Sequence, residues 1–387
     1  MFACEPVERK PLLLDLSLLT QRPASAAPRL YCNLPEREAQ CLSAANSPTA
    51  RALEHDADVL LARSGGLFHR RSNDAAAEVL RLRATHERNI SAAAGLILLL
   101  RLAEAESGTN HLVQSLQVVG DMLGDVRRLQ AAGLPSPSGQ AQLEAERLLT
   151  ERRLIELQVT IDELNWQLAT VMGVDLPPES RFWPDVDLKV DPAIPAIEDA
   201  IGMALVQRGD LAAARLATTL SDQEIMRAAG ALLGATGSGI AASGGALSCL
   251  HVRANREEAC LRQENLAKAS SDQELAVRHE VSRAVAIARL RLEQVALSQQ
   301  RVEVQRRRLQ ESGKKNDWET AGGTERHTAR LDLLQAEQDL LHDSIEWKIA
   351  VVKLHEVQGD LAIECGYDAV LTSGWAGECC EMEACSP

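Results

Sequence analysis

A chain of 387 residues is long enough for two or three domains, yet only 3% of its residues are aromatic, with two Tyr and three Phe. Because aromatic residues favour strands and fill globular cores, their scarcity argues against a large β-sheet and favours helices packed through Leu, Ala and Val. The net charge of −14 argues against non-specific binding of nucleic acid.

The first 49 residues are rich in Pro, Ser and Ala and show no sustained hydrophobic period. An apolar run from Pro11 to Leu19 follows two basic residues, but Asp15 interrupts it, so it makes an unconvincing export signal. We expect residues 1–49 to form a disordered or degenerate extension.

Two amphipathic segments lie between His86 and Leu176, and a break from Gly133 to Gly139 separates them. The break holds two prolines and two glycines, which end a helix. On both sides apolar residues alternate in steps of three and four, which is typical of a left-handed coiled coil. The two series are Leu102, Ala105, Thr109, Leu112, Leu116, Val119, Leu123 and Val126, and then Leu154, Leu157, Ile161, Leu164, Leu168 and Val171.

These segments predict a long antiparallel helical hairpin whose tip is the break. A helix from His86 to Ala132 would be roughly 70 Å long. A preceding helix is predicted to begin near Asn73, as an N-cap, and to run into it. Gly173 and the prolines that follow predict the end of the returning helix.

A second set of helical segments follows a linker at 177–196. The first runs from Ile197 and resumes after a break at Arg208-Gly209-Asp210. Residues 228–250 carry no charge, but they are too rich in Gly and too poor in Leu and Ile to favour a membrane helix. Helical character returns at Glu257, a coiled-coil spacing runs from Val281 to Leu309, and the helix is predicted to stop at Ser312-Gly313. A last helix is predicted to end at Gly359.

The chain therefore reads as an internal duplication. Leu129-Gln130-Ala131-Ala132-Gly133 corresponds to Leu309-Gln310-Glu311-Ser312-Gly313, and Gly173-Val174-Asp175-Leu176 corresponds to Gly359-Asp360-Leu361. The predicted fold class is all-α, with two tandem coiled-coil hairpins and little or no β-strand. The predicted repeats are 50–176 and 197–361, followed by a disordered Cys-rich tail at 362–387.

Several local motifs resemble the outer-membrane efflux protein (TolC-like) family. Leu129 to Ser136 resembles the family's helical turn, and Gln167 to Val174 resembles its closing motif. Arg208 to Arg215 is similar to the Arg-Pro-Asp-Leu motif that opens the family's second half, with Gly209 in place of Pro. The resemblance covers roughly residues 50–360.

This resemblance implies a homotrimer that forms a helical tunnel through the periplasm and inserts a β-barrel in the outer membrane. A periplasmic adaptor and an inner-membrane pump would meet the tips, at 133–140 and 313–326. The barrel strand pairs should lie at 63–86 and 234–260, where no alternating strand pattern is visible, so membrane association stays open. The alternative is a coiled-coil scaffold that kept the hairpins and lost transport.

The residues give no catalytic site. Glu325-Arg326-His327 and His342-Asp343 are interpreted as exposed polar positions. The sequence has no HExxH motif, no nucleophile elbow, no P-loop and no GxGxxG followed by an acidic residue. Two groups of Cys and His residues have side chains that bind soft metals, but their spacing matches no zinc module, so free or adventitiously oxidised thiols are favoured. The groups are Cys249, His251 and Cys260, and Cys365, Cys379, Cys380 and Cys385. Trp166 and Trp347 are expected to pack in the core, with ligand stacking as the alternative. No enzyme activity, cofactor or metal is predicted.

Overall fold

The computed structural model describes residues 30–62, 70–133, 139–177, 180–219, 256–315 and 322–367. Within these ranges the chain forms two short strands and nine helices. The first half contains β1 (Leu30–Pro35), α1 (Glu36–Ala45), α2 (Pro48–Ala62), α3 (Arg70–Ala131), α4 (Gln140–Met172) and β2 (Ser180–Asp185). The second half contains α5 (Ile197–Gln207), α6 (Gly209–Thr219), α7 (Arg256–Lys315), α8 (Gly322–Gln358) and α9 (Leu361–Glu364). The predicted fold class, two long helical hairpins with little strand, is confirmed.

The first hairpin pairs α3 with α4. Helix α3 has 62 residues and is therefore about 90 Å long, because it begins at Arg70 and runs without interruption through His86. Asn73 lies inside this helix and donates from Nδ2 to the carbonyl oxygen of Leu60 at 3.2 Å, so its prediction as an N-cap was wrong. Helix α4 ends at Met172, where Gly173 takes the predicted left-handed conformation with φ +62°.

The second hairpin pairs α7, of 60 residues, with α8, of 37 residues. Helix α7 passes through the predicted stop at Ser312-Gly313 and continues to Lys315. A single glycine in a helix costs only about 1 kcal/mol, and the Ser312 hydroxyl is satisfied by the Leu309 carbonyl oxygen at 2.8 Å. Helix α8 ends before Gly359, which has φ +87°. We call the ends of the hairpins at Gly173 and Gly359 their bases.

The four long helices lie side by side in the spatial order α4, α3, α8, α7. Helix α3 packs against both α4 and α8, and one buried cluster joins Leu143 of α4, Val119 of α3 and Leu334 of α8. The second hairpin therefore meets the first through its returning helix. Helices α4 and α7 form the two edges of this layer.

The two strands form a parallel pair, with Leu30 opposite Ser180 and Pro35 opposite Asp185. Phe182 is buried in β2, and the Trp183 ring beside it meets Tyr31 edge to face, with centroids 5.7 Å apart. The expected disorder of residues 1–49 was therefore wrong for 30–49, and the expected linker contains a strand. Each strand has only six residues, so alternation could not distinguish it from a loop.

The segment after α8 also packs against the first repeat. Leu361 and Ala362 of α9 are buried, and α9 contacts α1 and α3. The tail that was predicted to be disordered from residue 362 is thus ordered as far as Tyr367.

Some predicted segments lie outside the described residues: 1–29, the uncharged run 228–250 and the tail 368–387. Of the interval 63–86, residues 70–86 belong to α3, while 63–69 and most of 234–260 are likewise outside. Among the helices that the structure describes, none combines the length and the apolar character of a membrane span.

Candidate functional site

Helix α4 exposes a row of large apolar side chains, which we call the α4 stripe. Its members are Leu148, Ile155, Val159 and Trp166, with 62%, 63%, 62% and 71% of their surfaces exposed. They recur at heptad spacing, so they share one face of the helix. Ile161 and Leu168 lie on the buried side of α4. The α4 edge of the layer therefore presents a seam of coiled-coil type.

Helix α7 exposes a comparable row at the other edge, which we call the α7 stripe. Its members are Leu290, Leu297 and Val304, one per heptad, with 56%, 65% and 57% exposed. Val295 and Val302 are buried in the same stretch of α7. Both edges of the layer are thus apolar on the side that faces away from it.

Contacts across the layer show that the two stripes lie at a similar height. Gly108 of α3 lies opposite Leu157 of α4, since a Cβ added to this glycine would be 3.3 Å from the leucine side chain. Arg101 of α3 lies about two turns from Gly108 and pairs with Glu346 of α8. Glu346 also pairs with Arg291 of α7 at 3.1 Å, so Arg291 lies at the height of Arg101. The stripe centres therefore coincide in height to within about two helical turns.

The two edges carry opposite charge. Helix α4 contains six acidic and three basic residues. Residues 286–315, which form the later half of α7, contain eight basic and three acidic residues. An α4 edge and an α7 edge would therefore attract each other, whereas two identical edges would repel.

The two hairpins contact each other close to their tips. Near the tips, Nε2 of His327 on α8 lies 3.1 Å from Oδ2 of Asp125 on α3, and Arg128 also contacts Asp125. His327 is half-buried in this contact, so its prediction as a simply exposed residue was wrong. The tip segments 134–138 and 316–321 lie outside the described residues.

His342 and Asp343 likewise make contacts between helices. Nδ1 of His342 lies 2.6 Å from Oε1 of Glu104 on α3, although the ring is largely exposed. Asp343 accepts a hydrogen bond from the hydroxyl of Ser298 on α7. The pair therefore ties α8 to its neighbours on both sides, instead of only being solvated.

A buried ionic cluster lies at the base of the second hairpin, around Arg208. The Arg208 guanidinium donates to Asp210 from Nε at 3.0 Å and from Nη2 at 2.7 Å. Its Nη1 donates to Oε2 of Glu280 on α7 at 2.6 Å. Gln273 of α7 also donates to Asp210, at 3.2 Å. One side chain from the loop between α5 and α6 therefore holds α6 and α7 together.

The surroundings keep this cluster ionised. Burial opposes the charge of Asp210, but the hydrogen bonds from Arg208 outweigh it and lower the carboxyl pKa to about 2. Burial also opposes the charge of Arg208, yet hydrogen bonds from Asp210 and Glu280 raise the pKa of its guanidinium. Burial lowers the pKa of His86, whose Nδ1 lies 3.7 Å from Asp210. The cluster is therefore a fixed ion pair at neutral pH.

Gly209 brings α6 close to α3. A Cβ at this position would lie 2.3 Å from the carbonyl oxygen of Leu82 and 3.3 Å from the backbone nitrogen of His86. A proline, which the resembled motif has here, would clash with the backbone of α3. The departure from the motif is thus explained by the close packing of these two helices.

An open pocket of about 640 Å³ lies beside this junction, between α2, α3 and α6. Leu53, Val79 and Ala213 line its apolar part, and Arg83 and Glu87 stand at its polar side. Arg83 and Glu87 pair with each other at 3.8 Å. The pocket offers an apolar surface without an uncompensated charge.

A disulfide joins Cys41 of α1 to Cys365, just after α9. The favoured interpretation of Cys365 as a free or adventitiously oxidised thiol was wrong, because its partner lies 324 residues away in sequence at a Cα–Cα distance of 5.3 Å. Of the other proposed metal ligands, Cys249, His251 and the tail cysteines lie outside the described residues.

No protein-family model matches the sequence, and no curated protein matches it. Solved structures do match. CmeC, an outer-membrane channel of Campylobacter jejuni, gives a TM-score of 0.63 at 10% identity, over 84% of this chain and 85% of its own. The Vibrio cholerae outer-membrane protein VceC gives a TM-score of 0.55 at 14% identity, over 84% of this chain and 96% of its own. The outer-membrane channel OprN gives a TM-score of 0.53 at 18% identity, over 74% of this chain and 70% of its own.

The chain has a TolC-like fold. These identities establish the fold alone, and the matched structures are channels or membrane proteins.

Within the TolC-like layer, α3 and α8 are interior helices and α4 and α7 are edge helices. The expectation that both Trp166 and Trp347 pack in the core was right for Trp347, which is 4% exposed, and wrong for Trp166.

The described part of the chain holds no group of three or more His, Cys, Asp or Glu residues placed to bind a metal ion. His111 is buried in α3, and neither ring nitrogen has a hydrogen-bond partner. Burial lowers the pKa of His111, which keeps the ring neutral. Sequence reasoning missed the two exposed stripes because a heptad pattern does not tell which apolar positions face a neighbour in the same chain.

Proposed function

We propose that this protein is an outer-membrane efflux component that forms a helical conduit for export together with sister chains. It would act as a channel and not as an enzyme. The observation that carries the proposal is the pair of edges: each exposes a heptad stripe, and the two edges have opposite charge.

The pairing of unlike edges favours a ring. If α4 of one copy packs against α7 of the next, the interface is heterologous, and such an interface gives either a closed ring or a helical filament. Because the stripes lie at a similar height, successive copies need no axial shift, which favours closure. A two-fold dimer would instead place like-charged edges together.

Burial of the stripes supplies a free energy of the same order as the cost of association. Full burial of a completely exposed Leu, Ile or Val side chain is worth about 1.5–3 kcal/mol. The seven stripe side chains of a seam are 56–71% exposed, so burying what remains gives roughly 6–13 kcal/mol. Association costs about 4–15 kcal/mol, so the attraction between the oppositely charged edges adds to the apolar contribution.

The resemblance to the TolC-like family supports three copies per ring, with a periplasmic adaptor and an inner-membrane pump at the tips, 133–140 and 313–326. It also supports a location in the outer membrane and periplasm. The Cys41–Cys365 disulfide is compatible with this location, since disulfides persist in oxidising compartments.

Light scattering of the full-length protein, purified in detergent, tests the ring. We expect the wild type to be a trimer and Leu297→Asp to be a monomer, because an unpaired charge in the seam carries a large desolvation cost. Ile155→Asp should have the same effect from the other edge. Gln299→Asp is the matched control, since this exposed residue lies on a different face of α7 and should leave the trimer intact.

Membrane fractionation and dye accumulation test transport. Cells that lack their own efflux channel should accumulate less dye when they produce the wild type, and the protein should sediment with the outer membrane. Leu297→Asp should abolish the protection while Gln299→Asp retains it. A wild-type protein that is recovered only in the soluble fraction, without protection, would favour the coiled-coil scaffold and exclude the conduit.

A further inference from the structure

The turn that contains Cys365 docks onto the first repeat through several contacts besides the disulfide. Gln40 of α1 donates from Nε2 to the carbonyl oxygen of Leu361 at 2.9 Å and to Oε2 of Glu364 at 2.8 Å. The Arg88 guanidinium lies over the Tyr367 ring, 4.2 Å from its centroid. These contacts hold the turn in place beside Cys41.

Asn89 of α3 fixes the start of the same turn. Its Nδ2 donates to the carbonyl oxygen of Glu356 at 2.7 Å, and its Oδ1 accepts from the backbone nitrogen of Ala362 at 3.4 Å. The end of α8 and the beginning of α9 are thus bound to the same helix of the first repeat. Contacts other than the disulfide therefore hold these two segments together, and the Cα atoms of the bonded cysteines lie 5.3 Å apart.

We propose that Cys41 and Cys365 are a site of oxidative maturation, at which a thiol oxidase of the exporting compartment closes a covalent clasp between the first repeat and the end of the second. The proposal rests on the proposed function only for the compartment that supplies the oxidase. Cys41 and Cys365 are both half-buried in the folded chain, so the bond lies near the surface and not in the core.

The reaction is thiol–disulfide exchange. One thiolate attacks the disulfide of the oxidase and forms a mixed disulfide, and the second thiolate displaces the oxidase. The two cysteines together lose two electrons and two protons, and the oxidase disulfide is reduced to a dithiol. The product links α1 to the segment beyond α9, so the closed clasp reports that both repeats have folded.

The test uses the full chain with an added cleavable export signal, and the same chain without it. Free thiols are trapped with an alkylating reagent at the moment of lysis, and peptides are analysed by mass spectrometry. We expect a Cys41–Cys365 linked peptide from the exported chain and two alkylated cysteines from the retained chain. Two alkylated cysteines in the exported chain, or Cys365 bonded elsewhere, would overturn the proposal.

Amide hydrogen exchange then measures what the clasp does. In the exported Cys365→Ser variant we expect residues 361–367 to exchange at least about tenfold faster, while the interior helices α3 and α8 keep their protection. Cys385→Ser is the control and should leave the exchange of 361–367 unchanged. An equal rate in Cys365→Ser and wild type would overturn the clasp. A linked chain that fails to form trimers would instead refute the proposed conduit and leave the clasp standing.

Discussion

At the base of the first hairpin Gly173 packs against Asn46, whereas at the base of the second Gly359 packs against Arg208. The backbone geometry is shared: each glycine has positive φ, and each partner lies in the connection between two short helices. Asn46 donates from Nδ2 to the carbonyl oxygen of Met172 at 2.5 Å. Arg208 donates from Nη1 to the carbonyl oxygen of Val357 at 3.5 Å, and its guanidinium places a positive charge in a buried position.

The two bases show how a repeated backbone can be closed by different chemistry. The neutral amide of Asn46 needs no buried counterion. The guanidinium of Arg208 needs Asp210 and Glu280, and it thereby connects α6 and α7. In the first repeat the link between α2 and α3 comes from a separate side chain, Arg88, which pairs with Glu54 at 2.6 Å. The helix that follows each of these connections also starts differently: α2, after Asn46, begins with Pro48, and α6, after Arg208, begins with Gly209.

The largest expected difference between the bases concerns the arginine. Arg208→Met should lower the free energy of unfolding by about 3–5 kcal/mol, because it leaves Asp210 buried without its cation. Asn46→Ala should cost only about 1–2 kcal/mol, because it removes the hydrogen bond to the Met172 carbonyl oxygen and an exposed one from Arg51. Urea unfolding followed by circular dichroism measures both values.

The double variant Arg208→Met with Asp210→Asn separates charge from packing. Removing the uncompensated carboxylate should restore part of the stability that Arg208→Met loses. Equal costs for Arg208→Met and Asn46→Ala would show that the two bases are energetically alike, and the comparison would fail.

A smaller effect is expected at the helix starts. Gly209→Ala should cost about 1–3 kcal/mol, because the new Cβ would lie 2.3 Å from the Leu82 carbonyl oxygen and α6 would have to move. Pro48→Ala is the control at the start of α2, where the exposed proline should be replaced at little cost. Thermal unfolding of both variants measures the difference, and an unchanged Tm for Gly209→Ala would rule out the close approach of α6 to α3.

The smallest effect is a pH dependence at the second base. Nδ1 of His355 lies 2.8 Å from Oδ2 of Asp360, and this hydrogen bond raises the pKa of His355 above its ordinary value of 6.5. Because the folded-state pKa is higher, the contribution to stability is complete below pH 6.5 and is lost as pH rises through the folded-state value.

Unfolding measured between pH 6 and pH 8 should therefore show a loss of stability with rising pH that is weaker in His355→Gln. The effect is small because the imidazole is partly exposed and solvent screens the pair. If His355→Gln kept the full slope across that interval, another group would be responsible.

The long hairpins could be predicted from sequence because coiled-coil spacing is a local signal. Gly173 and Gly359 end helices for a local reason too, since both take left-handed backbone conformations. The strand pair could not be predicted, because its register joins Leu30 to Ser180 across the whole first hairpin. Short parallel strands have little local pattern.

The cysteine bridge and the arginine cluster were missed for the same physical reason. Cys41 and Cys365 meet only once both repeats are folded, and the partners of Arg208 come from separate helices. The contrast between Trp166 and Trp347 has another origin. Both residues lie on returning helices, but α4 is at an edge of the layer and α8 is in its interior. The heptad pattern of a helix does not determine the position of that helix in the layer.

The order α4, α3, α8, α7 has a genetic consequence for the proposed ring. Every seam is built from two distant parts of one gene product, so a single substitution alters all seams at once. In a cell with both forms, a subunit damaged only on α7 still offers a sound α4 edge to a normal neighbour. Such a subunit would enter growing rings and leave them open, so the mutant allele would be dominant over the normal one.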